Sequence, residues 1–126
     1  MSQAMFDKGL KVRKEVLGAE YVDAAIKNAD DFTRPFQELV TEYAWGAVWG
    51  REGLSRKTRS MLNIAMLTTL NRPHELKLHI RAALGNGVTR EEVREILMHV
   101  AIYAGVPAAV DAVRTAREVF SEAAKA

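Results

Sequence analysis

Between Thr89 and Ala104 the apolar residues Val93, Ile96, Leu97, Val100 and Ala101 recur at spacings of three and four, which marks one face of an α-helix. The start of this helix is written in its polar residues. Thr89 followed three residues later by Glu92 is a capping box, and Glu91 and Glu92 place negative charge at the positive end of the helix dipole. Gly105 is a stop, and Pro107 suits the first turn of a further helix carrying Val110, Val113, Ala116, Val119 and Phe120. The same period recurs upstream. Met61, Leu62, Ile64, Ala65 and Leu67 define a helix entered through Ser55–Thr58, and Asn71-Arg72-Pro73 ends it and starts another over His74–Leu84. That second helix closes at Gly85-Asn86-Gly87. The N-terminal half reads as helices over Asp7–Leu17, Tyr21–Ala29 and Pro35–Val48, with Gly46, Gly50 and Gly53 loosening the connection onward. No window alternates apolar and polar residues as a strand would. The fold class is therefore all-α, a helical bundle of six to seven helices.

A chain of 126 residues and 14.0 kDa with no linker or repeat is expected to form one domain over residues 1–126. Lysine and arginine total 18 against 16 acidic residues, and the signs are interspersed, which argues against a nucleic-acid partner. No cysteine is present, so disulfides, thiolate metal sites and thiol nucleophiles are excluded. The first residues reach Asp7 and Lys8 before any signal-like apolar run forms, and no stretch resembles a membrane span, so a cytoplasmic protein is expected.

Chemistry can come from few places. Glu75 and His79 lie one turn apart, so the carboxylate can orient the imidazole and raise its pKa toward that of a neutral-pH proton donor; the alternative is a solvated surface pair. His74 sits in a first helical turn, where it could meet an anion or simply face water. His99 and Tyr103 form a second pair four apart, and the apolar neighbours Met98 and Val100 suggest a buried core histidine or a site wall. The three histidines show no metal-binding spacing, so no metal is expected. Trp45 and Trp49 suit the core, a subunit interface or a ligand-facing wall. Arg34 follows two aspartates, and Arg51, Arg56, Lys57 and Arg59 form a basic cluster, either a solvated face or a clamp for a multiply anionic small molecule.

These residues lie in runs that resemble a known family. Leu17–Asp23, Ala29–Leu39, Arg72-Pro73-His74-Glu75-Leu76-Lys77-Leu78-His79, Asn86–Thr89 and Ala101–Ala109 are similar to the carboxymuconolactone decarboxylase family, and the likeness runs from about Asp7 to Phe120. The wider alkylhydroperoxidase D-like superfamily to which that family belongs is all-helical and oligomeric, which implies a homo-oligomer such as a hexamer. Its peroxidase branch carries Cys-x-x-Cys before the histidine; here those positions hold Arg72 and Glu75, a departure that fits decarboxylation.

The activity implied is conversion of 4-carboxymuconolactone to 3-oxoadipate enol-lactone in protocatechuate breakdown, with no cofactor, because the unsaturated lactone is its own electron sink. Such a reaction needs carboxylate binding, a donor to the dienolate oxygen, and a proton. The resemblance and the spacing together suggest His79 as proton donor with Glu75 orienting it. They further suggest His79 or His74 as the dienolate's hydrogen-bond donor, Arg34, Arg59 and Arg72 as anion binders, and Trp45, Trp49 and Tyr103 as an apolar wall. The competing expectations are a non-catalytic helical binding module and a related lactone isomerase or hydrolase.

Overall fold

The computed structural model describes residues 2–125. Among them the regular elements are all helical: α1 (Gln3–Leu17), α2 (Ala19–Lys27), α3 (Arg34–Val40), a π-helical segment (Thr41–Val48), α4 (Arg56–Thr69), α5 (Pro73–Gly85), α6 (Arg90–Tyr103) and α7 (Val106–Lys125). None of these helices is long and apolar enough to cross a membrane. The chain divides between Arg56 and Lys57 into two compact units.

In the first unit α1 and α2 are separated by a single residue, Gly18, whose φ of 97° is accessible to glycine and costly for other residues. Its N–H donates to the Lys14 carbonyl and closes α1. The helix expected over Pro35–Val48 changes character part-way. α3 gives way at Thr41 to the wider π turn, ending with Trp49 N–H donating to the Ala44 carbonyl five residues back. The Thr41 hydroxyl donates to the Gln37 carbonyl at 2.7 Å, a back-bond that bends helices, and its oxygen lies 3.3 Å from the guanidinium of buried Arg13, which also donates to Gln37 Oε1. The π segment turns Thr41, Trp45 and Gly46 inward together.

Gly46, expected as a loosening element, does the opposite. A methyl group there would sit 2.7 Å from the Met5 carbonyl oxygen, and one at Gly9 would run into the carbonyl oxygen of Thr41. The two glycines let α1 and the π segment approach backbone to backbone. Gly9→Ala should therefore lower unfolding stability by about 1 to 3 kcal/mol through overpacking, to be read as a fall in the denaturant midpoint. Trp45 and Trp49 stack at 4.9 Å between ring centroids and pack with Val12 and Val16 in this unit's core.

The second unit buries Ile64 from α4, Leu76, Ile80 and Ala83 from α5, Val93 and Leu97 from α6, and Ala112, Ala116 and Val119 from α7. The capping box is formed at both ends, with Glu92 N–H donating to Thr89 Oγ1 and Thr89 N–H to Glu92 Oε1, each at 3.0 Å. Gly105, with φ of 111°, breaks α6 from α7. Lys77 and Arg81 of α5 pair with Glu118 and Glu122 of α7 along the solvent edge of the two helices.

Candidate active site

The second unit holds the polar groups that could act together. On α4, Ile64 points into the core, while Arg59 and Asn63, one turn apart, share a half-buried face. Pro73 opens α5 in its first turn, and Arg72 just before it donates to the Leu70 carbonyl at 3.1 Å, tying off the end of α4. Leu76 and Ile80 anchor α5 in the core. That anchoring brings His79 beside α4, with Asn63 Nδ2 3.3 Å from His79 Nδ1.

The electrostatics differ from the expectation set by the Glu75–His79 spacing. Burial pushes the His79 pKa below its ordinary 6.5, and the negative charge of Glu75 raises it by less. Glu75 is exposed, so water weakens its field at the ring, whereas desolvation acts on the imidazole directly. Burial thus favours the neutral ring.

The other expected site residues are dispersed. His74 lies exposed on α5, and five residues along a helix is about 140° of rotation, so it projects from a different face than His79. Arg34 belongs to the first unit, where it pairs with Asp31 at 3.2 Å and donates to the Ala29 carbonyl. Trp45 and Trp49 are interior to that unit, at 5% and 8% exposure, so packing is the role the structure gives them. Tyr103 stands exposed on α6 and stacks on His99 at 4.8 Å. His99, expected as a buried core histidine or a site wall, is exposed; it lines a groove with Met61, Leu62 and Ala65, whose face of α4 is about 150° round from Asn63.

Asn63 is the group that sequence reasoning overlooked. Its signal was there to find, since an amide within the apolar run Met61–Ala65 is a poor helix-interior residue and needs a partner. Among the described residues no three histidine or acidic side chains are grouped so as to hold a metal ion.

Comparison with known proteins gives a consistent set of relatives. The sequence profile of the carboxymuconolactone decarboxylase family matches residues 34–118. A nitrosuccinic acid decarboxylase, npaB, of Metarhizium robertsii is 47% identical over 122 residues, covering 97% of this chain and 85% of the relative. A 4-carboxymuconolactone decarboxylase of Acinetobacter baylyi is 45% identical over 117 residues, covering 93% and 87% respectively. An uncharacterized 15.0 kDa protein of Paracoccus denitrificans is 34% identical over 130 residues, covering 95% and 93%.

Proposed function

The chain belongs to the carboxymuconolactone decarboxylase family, and on that premise we propose that it decarboxylates 4-carboxymuconolactone to 3-oxoadipate enol-lactone in aromatic catabolism without a cofactor. The observation that carries the proposal is His79, half-buried on α5 with Asn63 at its ring and Arg59 one turn from Asn63. That grouping supplies one cation for a carboxylate and one titratable donor, two of the groups the reaction requires.

The substrate is a five-membered unsaturated lactone with a ring carboxylate and an acetate arm. Cleavage of the bond to the ring carboxylate releases carbon dioxide and sends the electron pair through the conjugated C=C bond to the lactone carbonyl oxygen. One proton then adds at the α-carbon, so the dianion plus a proton becomes carbon dioxide and the product monoanion. Arg59 holds one carboxylate. A doubly negative substrate beside His79 favours the charged ring, so the imidazole, neutral beforehand, is protonated in the complex and gives that proton to the α-carbon. Placing the leaving carboxylate against a partly desolvated surface favours the step, because charge is more dispersed in the transition state.

Nitrosuccinate is the second reading, favoured by 47% identity to a decarboxylase of that acid over 97% of the chain. It poses a related problem, because it has two carboxylates and an adjacent nitro group that accepts the electron pair. Exposed Phe32, Phe36, Tyr43 and Ile102 support assembly of the chain into a homo-oligomer.

The deciding experiment supplies each acid separately and follows carbon dioxide, together with the ultraviolet absorbance that the lactone loses when its double bond leaves conjugation. Carbon dioxide release from the lactone at a catalytic rate is the expected result. Turnover confined to nitrosuccinate would transfer the assignment to that acid, lactone consumption without carbon dioxide would indicate an isomerase or hydrolase, and binding without turnover would leave a binding module.

A further inference from the structure

We infer that Asn63 is the positioning residue that holds His79 in one tautomer, with Nδ1 as acceptor and the ring proton on Nε2; the inference rests on His79 being the proton donor of the proposed reaction. A neutral imidazole carries one N–H and one bare nitrogen, and its surroundings choose between the two arrangements. Asn63 Nδ2, which can only donate, stands 3.3 Å from Nδ1. A hydrogen bond there requires the lone pair on Nδ1 and therefore the proton on Nε2.

Both side chains are partly buried and each comes from a helix fixed in the core, Asn63 beside Ile64 on α4 and His79 beside Ile80 on α5. The amide and the ring consequently cannot drift apart without disturbing core packing. Glu75, one turn earlier on α5, is exposed and acts on the ring through its charge. The orienting role expected of that carboxylate thus passes to a neutral amide. The difference matters chemically. A carboxylate at Nδ1 would demand a proton there and stabilise the charged ring before substrate arrives, whereas an amide donor leaves the ring neutral with its proton on Nε2. Arrival of the anionic substrate adds the second proton at Nδ1, and the Asn63 amide then turns so that Oδ1 accepts it, which keeps the ring oriented while Nε2 gives up its proton.

The test reads the tautomer directly. In protein labelled with 15N at histidine, His79 should show a bare, pyridine-like Nδ1 and a protonated, pyrrole-like Nε2 above its titration range. Asn63→Leu, which keeps the approximate volume, should leave a mixture of tautomers. Asn63→Asp, which keeps the shape and reverses the hydrogen-bond polarity, should move the proton to Nδ1. With the substrate that turns over, Asn63→Leu should lower kcat by about 10- to 100-fold, by analogy with the loss of partners that orient metal-bound histidines, with KM nearly unchanged. Circular dichroism and the denaturant midpoint separate this from misfolding, and Asn63→Asp supplies the tautomer readout should Asn63→Leu fold poorly. A wild-type ring protonated on Nδ1, or a tautomer and kcat indifferent to both substitutions, overturns the inference. Because the nitrogen shifts need no substrate, a chain that turned over neither acid would sink the proposed reaction while the tautomer assignment was judged on its own.

Discussion

Replacing His79 with glutamine is expected to lower kcat by about 10² to 10⁴, the range typical for removal of a positioned general acid, while the protein folds normally. Glutamine retains a hydrogen-bond donor of similar length but cannot deliver a proton at neutral pH. Glu75→Gln should cost less, because Glu75 is exposed and reaches the ring only through its charge. The pH dependence follows from the direction of the His79 shift. With the free-enzyme pKa below 6.5, kcat/KM should be highest on the acid side and fall as pH rises through that lowered value, whereas kcat, which reports the complex, should fall only at higher pH because bound dianion favours the charged ring. Stability has its own sign. The folded state disfavours the charged ring, so the unfolded chain binds more protons between the lowered pKa and 6.5; the contribution is complete above 6.5 and is lost as pH falls through that window. Urea unfolding of wild type and His79→Gln across this range would show the slope in the first and its loss in the second. Full turnover by the variant from pH 6 to 8 would make His79 structural.

Much of the fold was legible because its determinants are local. The face made by Val93, Leu97 and Val100, and the reciprocal bonds of Thr89 and Glu92, depend on residues three and four apart, so α6 could be placed at Arg90 from sequence alone. The π segment was not legible, since it depends on where Gly9 of α1 lets the Thr41 carbonyl approach, a contact between residues far apart in the chain. The same distance explains Gly46, whose missing side chain reads as flexibility in one dimension and as close packing in three. At the site, the one-turn spacing of Glu75 and His79 was visible, but the direction of the His79 pKa shift was not, because desolvation depends on what packs around the ring. Asn63 lies 16 residues from His79, beyond any helical period, and the pair meets only because α4 and α5 are both anchored in the core.

Arg59 and Arg34 were equal candidates for carboxylate binding in the sequence, and the structure gives opposite expectations for the two. Arg34 is exposed and already engaged with Asp31 and the Ala29 carbonyl, and an exposed pair of this kind contributes little and is screened by salt. Arg59 is half-buried on the face of α4 that carries Asn63, so its attraction for an anion at His79 is less screened. Truncating a partly desolvated partner of a bound carboxylate costs about 2 to 4 kcal/mol, or about 30- to 700-fold. Arg59→Ala should therefore lower kcat/KM by that factor, mainly through KM, because the carboxylate it holds is bound in both ground and transition states. Arg59→Lys should recover part of the loss, since an ammonium restores charge without the bidentate fork. Arg34→Ala should stay within a few-fold of wild type. Steady-state kinetics of the three variants on the substrate that turns over would check this, and a larger KM effect at Arg34 than at Arg59 would move the anion site out of the second unit.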